Sequence, residues 1–214
     1  MRLYLALLTL CTIAIAPFPT GLLRIDVPSP PIRHTVLGYD RTAAFGTWAP
    51  LSDGCDTRTT AMAHAWQQAG AAVSCHIPYA AWDAAPIRDP YTGEPILPGD
   101  VELDHLYPLA AAWDMGAYAW PREKRLAFAN DPANLIVTSS AANQAKSDML
   151  PSEWLPPERR ARCAYARQLA SVAKQYALPL PAPDQRAMRR ACAGFQGLAS
   201  RRFLTPREEY PRVP

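Results

Sequence analysis

Two polar clusters near the middle of the chain carry residue types that can do chemistry together. Asp104 and His105 are adjacent in the run V-E-L-D-H-L-Y-P-L, and Asn143 and Lys146 follow later in N-Q-A-K. A carboxylate and an amide oxygen are ligands that a hard divalent cation such as Mg²⁺ prefers. A neutral imidazole can accept a proton from water, because its ordinary pKa is about 6.5. These residue types indicate a site that holds a cation and activates a water molecule.

The local sequence predicts two strands and a helix that would position the two clusters. Residues 101–109 and 134–138 are short apolar runs with strand-like residues. A helix is expected directly after the second run, where Ser139 or Ser140 can cap it and several alanines favour it. The two polar residues of this helix are spaced i,i+3, so both lie on one face. The unit is therefore strand, long loop, strand and helix.

The geometry of the first strand limits how these residues can meet. Adjacent side chains in a flat strand point to opposite faces, so Asp104 and His105 share a site only if the strand bends or ends near them. Pro108 soon afterwards favours such an end. Glu102 shares a face with Asp104 and is either a second acid beside the site or an exposed strand residue.

The order of these residues resembles that of the HNH endonuclease family. The shared pattern is D-H-x-x-P-L, then N-L, then N-x-x-K-S-D, within a broader similarity over about residues 40–195. The form is similar to secreted actinobacterial HNH proteins and to the HNH domain of RNA-guided nucleases. The resemblance implies an α+β fold with a ββα-metal core of hairpin plus helix. Mostly helical surroundings, stapled by disulfides, would enclose this core.

The resemblance also implies a role for each polar residue in phosphodiester hydrolysis. Asp104 and Asn143 would hold one divalent metal ion, Mg²⁺ with Mn²⁺ as the alternative. His105 would be the general base, with its other ring nitrogen oriented by a backbone carbonyl of the hairpin. Asn134 would assist the catalytic site by tying the long loop closed. Lys146 would stabilise charge on the transferring phosphoryl group or contact a neighbouring phosphate.

The charge distribution suits a polyanionic substrate. Residues 151–214 hold 12 Lys and Arg against 5 Asp and Glu, whereas residues 1–150 hold 10 against 14. A basic C-terminal third indicates nucleic acid, and solvated helix faces with surplus arginine explain it equally well. Arg58 is a candidate phosphate contact, with an ion pair to a nearby aspartate as the alternative. The expected substrate is DNA, with RNA not excluded, and the expected state is a monomer.

The N-terminal residues indicate export. Residues 3–16 form an apolar run typical of a secretory signal, and Ala14-Ile15-Ala16 resembles a cleavage site. Pro17 directly afterwards disfavours cleavage, and residues 3–23 are long enough to tether the chain to a membrane if the leader is retained. Residues 1–20 are therefore expected to be a signal peptide or anchor. The expected location is secreted or at the cell surface.

Cysteine usage agrees with export. Cys11 lies in the leader, and the remaining four cysteines allow three pairings. We expect Cys55–Cys75 and Cys163–Cys192, because each closes a loop of modest length around predicted helices. Each disulfide is expected to stabilise the fold by about 3 kcal/mol by restricting the unfolded chain. A zinc site is the weaker alternative, since the chain has no C-x-x-C pair.

Helices are expected to surround the central unit. The predicted organisation is a Pro-rich linker at 21–38, a nuclease domain at 39–199 with its core motif at 101–154, a C-terminal helical hairpin at 158–198 and a flexible tail at 200–214. The predicted outer elements are helices at 57–69, 109–113, 121–129 and 158–176 and a strand at 71–77.

Two other functions compete with the nuclease. One is a nucleic-acid-binding module that has the HNH fold but little or no cleavage. The other is a disulfide-stapled extracellular structural protein in which D-H and N-x-x-K are coincidental. The intact order of Asp, His, Asn and Asn favours the nuclease.

Overall fold

The chain folds into a mixed helix-and-strand structure with small antiparallel sheets. The computed structural model describes residues 1–15, 23–194 and Leu204. The described helices are α1 (Arg2–Ile15), α2 (Arg41–Phe45), α3 (Thr57–Gln68), α4 (Leu109–Asp114), α5 (Arg122–Ala129), α6 (Ser140–Lys146), α7 (Arg162–Tyr176) and α8 (Ala182–Ala191). The described strands are β1 (Ile87–Arg88), β2 (Pro95–Ile96), β3 (Val101–His105) and β4 (Leu135–Ser139).

The centre of the fold is the antiparallel pair of β3 and β4. The register places Asp104 opposite Ile136 and His105 opposite Leu135. As the sequence predicts, α6 begins directly after β4, and the Ser139 side chain caps it by accepting a hydrogen bond from the Ala142 amide. Hairpin and helix therefore form one continuous unit.

Two hydrophobic cores cover the two faces of this hairpin. Leu103 and Val137 lie in a core with Met62 and Trp66 of α3, whereas Ile136 lies in a larger core that includes residues of α4 to α8. This separation follows from the alternation of side chains along a strand. A residue on β3 therefore faces α3 or α6 according to its parity in the sequence.

The predicted strand at 71–77 is wrong, because the structure has no strand there. The segment is held by side chains instead. Gln67 donates to the Val73 carbonyl, the Trp82 indole donates to the carbonyls of Ser74 and Ile77, and Cys75 is tied to Cys55. With no neighbouring strand to pair with, an apolar run of this length does not form a ladder.

The predicted boundaries of the last two helices differ from those observed. The helix predicted at 158–176 begins only at Arg162, because Glu158 pairs its amide with the Tyr91 carbonyl and the chain turns before the helix starts. The second helix of the hairpin ends at Ala191. Residues 195–203 and 205–214, which include most of the predicted tail, lie outside the described residues.

The segment predicted as a linker packs against the domain over residues 23–37. Leu23 is buried, and the carbonyls of Pro28 and Pro30 accept hydrogen bonds from the amides of Leu180 and Ala182. Arg33 bridges the carboxylates of Asp114 and Asp148, at 2.7 Å each. Proline-rich sequence does not prevent packing when its carbonyls find donors. The predicted cleavage site ends at Ala16, and residues 16–22 lie outside the described residues.

Helix α1 is a short apolar helix. It has 14 residues, and Leu3, Leu7 and Leu10 are exposed. Among the residues that the structure describes, no helix is both long and apolar enough to cross a membrane.

Both predicted disulfides are present. Cys55–Cys75 ties the start of α3 to the segment after it, and Cys163–Cys192 joins α7 to the end of α8. The second bond closes the helical hairpin where Cys192 caps α8. Cys11 is the free cysteine among the described residues.

The Cys163–Cys192 bond yields a stability prediction. Replacing both cysteines with Ala is expected to lower the free energy of unfolding by about 3 kcal/mol, because the unfolded chain regains the freedom of a loop with a sequence separation of 29. Guanidinium titration of the variant and wild type measures this difference. The control, Cys11→Ser, should unfold as wild type does. Equal midpoints for wild type and the double variant would contradict the prediction.

Candidate functional site

Asp104 and His105 are the last two residues of β3, and both are buried. The exposed fraction is 5% for Asp104 and 7% for His105. Asp104 faces α6, whereas His105 faces α3, as alternation along the strand requires. The strand ends at this point, as Pro108 led us to expect. The two side chains therefore meet different surroundings.

Asp104 is bonded to two buried partners on the α6 side. The Tyr91 hydroxyl donates to Oδ2 at 2.6 Å, and Lys146 Nζ lies 3.0 Å from Oδ1 and 2.9 Å from Oδ2. Burial raises the pKa of the Asp104 carboxyl, and the opposing effects of Lys146 and Tyr91 only partly offset this. The carboxylate is thus already supplied with a cation and a hydroxyl donor.

Lys146 lies in the interior and not at the surface. Its side chain is completely buried, and Nζ also donates to the backbone carbonyl of His105 at 2.8 Å. A phosphate cannot reach this ammonium in the observed arrangement. The expected phosphate contact is therefore corrected: Lys146 joins α6 to both residues at the end of β3.

His105 is held on the other face by a carbonyl and an aromatic ring. Nε2 lies 2.8 Å from the Ala129 carbonyl oxygen, and the imidazole stacks on Trp48 with centroids 5.4 Å apart and planes 5° apart. Burial lowers the pKa of His105 to about 3, the Ala129 carbonyl raises it, and the charges of Arg41 and Lys146 lower it further. The ring is therefore neutral at physiological pH, well away from the ordinary value of about 6.5 assumed from the sequence.

The contact with Ala129 settles which ring nitrogen can accept a proton. A carbonyl oxygen only accepts, so Nε2 must carry the hydrogen, and Nδ1 then holds the lone pair. A backbone carbonyl was expected to orient this ring. The one that does so ends α5, in the long connection between β3 and β4.

Asn134 closes this connection from the inside. It is fully buried, its Oδ1 accepts from the Tyr107 amide at 2.8 Å, and its Nδ2 lies 3.3 Å from the Tyr107 carbonyl. The Asn134 carbonyl also accepts from the Leu106 amide at 2.8 Å. These bonds join the two ends of the loop, so Asn134 acts on the site through the backbone that follows His105.

Asn143 is paired with Glu102, one turn before Lys146 on the same helix. Asn143 Nδ2 donates to Glu102 Oε2 at 2.6 Å, and both side chains are half-buried. Glu102 and Asp104 lie on the same face of β3. The structure therefore brings Asn143 to Glu102 by a direct bond, while Lys146 takes the direct bond to Asp104.

The side chains on the α6 face offer the oxygen ligands that a hard divalent cation prefers. Two carboxylates, Glu102 and Asp104, and one amide, Asn143, are ligand types that Mg²⁺ and Mn²⁺ accept. The Asn143 nitrogen is the atom used toward Glu102, so its carbonyl oxygen is the atom left for a metal. A cation here would share Asp104 with Lys146. Such competition between positive charges predicts weak metal affinity.

A different group, of two cysteines and one histidine, has metal-like spacing but cannot bind a metal as it stands. Among the described residues, ligand atoms of Cys55, Cys75 and His76 lie within 4.8 Å of one another. Both sulfurs belong to the disulfide, so neither is a thiolate.

Among the described residues, Arg58 makes no ion pair or hydrogen bond with Asp104, His105, Asn143 or Lys146. Its guanidinium lies 5.9 Å from the centroid of the Tyr79 ring, and its Nε is buried with no hydrogen-bond partner among the described residues. Neither an ion pair with Asp56 nor one with Asp104 is formed in that part of the chain. Asp56 instead caps α3 through the Thr59 amide.

Asp89 is a buried carboxylate that reasoning from the sequence missed. It accepts hydrogen bonds from the Thr138 and Ser139 hydroxyls and from the Ser139 and Tyr91 amides, at 2.6–3.1 Å. It thereby ties the turn that carries Tyr91 to the end of β4, where α6 starts. The turn sequence D-P-Y-T-G-E-P was visible, but its partners lie about 50 residues away.

The Asp89 contacts yield a prediction with a defined pH dependence. Burial acts to raise the pKa of Asp89, but its hydrogen bonds outweigh this and hold the pKa below its ordinary value. Asp89→Asn is expected to lower the free energy of unfolding by about 1–3 kcal/mol at pH 7, since the amide nitrogen cannot accept.

The sign of the pH effect follows from the lowered pKa. The charged carboxylate contributes stability above the unfolded-state pKa of about 4 and loses it as the pH falls through the folded value. The difference between wild type and Asp89→Asn should therefore narrow below pH 4. Urea titrations at pH 7, 5 and 3 measure it. A gap that stays constant over this range would contradict the assignment.

The buried ion pair yields a second prediction. Lys146→Met is expected to destabilise the fold by about 3–5 kcal/mol, because it leaves Asp104 buried without its cation. The double variant Asp104→Asn/Lys146→Met removes both charges and is expected to be more stable than Lys146→Met alone. Denaturant titration of both variants and of Asp104→Asn completes the cycle. Additive effects would show that the two groups do not interact.

Comparisons with known proteins cover the same part of the chain as this site. Residues 66–191, from the end of α3 to the end of α8, match the family of the C-terminal domain of GmrSD restriction endonucleases. A protein of Arthroderma benhamiae, described as an uncharacterized secreted protein, is 30% identical over 200 residues, which cover 86% of this chain and 95% of that protein. No solved structure matches the chain. Because the family match spans more than half of the chain, including β3, β4 and α6, the chain belongs to the family of GmrSD restriction endonuclease C-terminal domains.

Proposed function

We propose that the chain is an HNH-type endonuclease that hydrolyses phosphodiester bonds of DNA with low sequence specificity. The observation that carries the proposal is the His105 imidazole held through Nε2 by the Ala129 carbonyl at 2.8 Å. This leaves Nδ1 to take a proton from an attacking water molecule. Membership of a restriction-endonuclease domain family and the D-H…N…N-x-x-K order support the same activity.

A low pKa makes His105 a weak base in the empty protein, but the substrate itself changes this. An anionic phosphate beside the ring favours the imidazolium form and raises the pKa toward neutrality. His105 then accepts the proton as the water attacks, and the Ala129 carbonyl stabilises the charged ring through Nε2. Proton transfer of this kind contributes about 10²–10⁴-fold to the rate.

The opposite directions of Asp104 and His105 suit the reaction. In phosphoryl transfer, the attacking and leaving oxygens lie roughly in line on opposite sides of the phosphorus. The base His105 on the α3 face and a divalent cation held by the carboxylates on the α6 face could serve the two sides. The strand does not have to bend for this, only to end, as β3 does at His105.

The proposed metal site is on the α6 face. Asp104 and Asn143, together with Glu102, would hold one divalent ion, Mg²⁺ or Mn²⁺. When bound, the ion would neutralise charge on the scissile phosphate and on the departing 3′-oxygen. Lys146 would keep Asp104 ionised and oriented before the metal arrives.

The charge distribution supports a nucleic-acid substrate, and the disulfides and the secreted relative support an extracellular location. The basic C-terminal third would contact phosphates, so binding should weaken with salt, and RNA is the alternative substrate. Two disulfides and a secreted relative support an exported protein, and we propose that it acts as a monomer. Retention of residues 3–23 would add a membrane tether.

A second candidate function is a nucleic-acid-binding module with little or no cleavage. The observation that favours it is that Asp104 and His105 are already in contact with other side chains of the protein. Lys146 and Tyr91 already bind the Asp104 carboxylate, and Trp48 stacks on one face of His105. Both residues are also buried, so little of either is accessible to substrate in the observed arrangement.

The two candidates predict different behaviour of His105→Ala. As a nuclease, the variant is expected to lose about 10²–10⁴-fold in kcat with KM little changed, because the base acts on the water and not on substrate binding. Nicking of supercoiled plasmid with Mg²⁺ or Mn²⁺, and with EDTA as the metal-free arm, measures this. The exposed His34→Ala is the matched control and should cleave as wild type does.

Plasmid cleavage by the wild-type protein distinguishes the two candidate functions directly. If plasmid stays intact between pH 6 and 9 with either metal, hydrolysis is excluded, and retained binding of DNA would leave the second candidate. Activity that is unaffected by His105→Ala would remove His105 from the chemistry even if cleavage occurs.

A further inference from the structure

Three side chains meet on the α3 face of the strand end. The imidazole of His105 stacks on Trp48, and the guanidinium of Arg41 lies 5.6 Å from the centroid of the same indole. The two centroid distances of 5.4 and 5.6 Å place the guanidinium within about 11 Å of the imidazole. An exposed cation is thus held close to the proposed base.

Arg41 has no anionic partner of its own. It is exposed, and within the described ranges no carboxylate forms an ion pair with it. The adjacent Asp40 is engaged in capping α2, where its side chain accepts from the Ala43 amide. The guanidinium donors therefore remain available to an anion from outside.

The backbone around these residues is held in place from both ends. Helix α2 buries Phe45, and Arg125 donates to the Ala44 carbonyl at 2.8 Å. On the other side of Trp48, the Ala49 amide donates to Oδ1 of the buried Asn130 at 2.8 Å. Asn130 directly follows the residue whose carbonyl orients His105, so one polar residue anchors both parts of the arrangement.

We propose that Arg41 binds a phosphate of the nucleic-acid substrate near the one attacked beside His105, with Trp48 as a positioning residue that keeps the two groups at this spacing. The inference rests on the proposed function, since it places the second phosphate relative to the proposed base. Arginine suits the role because its planar fork matches phosphate oxygens and its cation stacks on aromatic rings. A strand carries one phosphate per ~3.4 Å of duplex axis, so a separation of at most about 11 Å places the second phosphate no more than about three nucleotides from the attacked one.

This subsite belongs to the part of the chain that precedes the family match. Arg41 and Trp48 lie before residue 66, where the match begins, whereas His105 lies inside it. The N-terminal segment would therefore add a substrate contact to a reaction centre built from the matched domain.

Binding without cleavage tests Arg41 directly. Fluorescence anisotropy of a labelled DNA oligonucleotide is measured in EDTA between 50 and 300 mM NaCl. Arg41→Gln is expected to weaken binding several-fold at low salt and to reduce the slope of log K against log salt by about one, because one phosphate contact is lost. Arg41→Lys keeps the charge and should keep most of the slope.

A matched control removes the same charge elsewhere. Arg88 is an exposed arginine whose side chain already pairs with Glu158 at 3.4 Å. Arg88→Gln is therefore expected to leave the slope at the wild-type value. A slope reduced equally by both substitutions, or by neither, overturns the subsite.

Trp48 is tested by rescue and by kinetics. Trp48→Ala is expected to raise KM and lower kcat together, since both the cation and the base lose their support, whereas Trp48→Phe retains an aromatic face and should restore most of each. Equal losses in both variants would overturn the positioning role.

The outcomes separate this inference from the proposed function. If wild type binds DNA but does not cleave it, and Arg41→Gln reduces the slope of log K against log salt, the nuclease activity is contradicted and the phosphate contact of Arg41 is supported. Wild type that cleaves, with Arg41→Gln binding at the wild-type slope, supports the nuclease and overturns the subsite. Wild type that neither binds nor cleaves overturns both.

Discussion

A buried ion pair between Asp104 and Lys146 is the interaction on which the central unit depends. An isolated charge in the interior costs several kcal/mol, so each partner is tolerable only when the other is in place. Because Lys146 also binds the His105 carbonyl, docking of α6 and the path of β3 at its last residues are one event. The same docking brings Asn143, one turn earlier, to Glu102. Tyr91 adds a third buried contact to Asp104 from the β1–β2 turn.

The hairpin separates the two halves of the proposed chemistry, because each of its faces is covered by a different core. On the α6 face lie the oxygen donors suited to a cation. On the α3 face lies an imidazole that burial keeps neutral. The connection between β3 and β4 returns to the strand end, where Ala129 orients His105 and Asn134 closes the loop. A long insertion of this kind adds little entropic cost with length, provided its ends are tied.

Several elements and contacts could be predicted from the sequence, and several could not, for identifiable reasons. The run after Ser139 is a helix because a serine cap and alanines act locally. The segment at 71–77 is equally strand-like, yet it has no partner strand and stays irregular. The proline-rich stretch at 23–37 looks like a linker, yet its carbonyls meet donors near α7 and α8 and it packs.

The sequence by itself determined the strand, strand and helix of the central unit and the order of Asp104, His105 and Asn143, and it favoured the two disulfide pairings that the structure contains. These depend on local propensity, on residue type and on loop lengths. Only the tertiary structure decided that Lys146 is buried against Asp104 and that Asp89 joins the Tyr91 turn to α6. It also decided the surroundings of His105, which the Ala129 carbonyl orients and the Trp48 ring covers. Each of those contacts joins residues between 24 and 57 positions apart. They depend on how loops pack around the hairpin, and the burial that results, not residue type, sets the pKa values of the site.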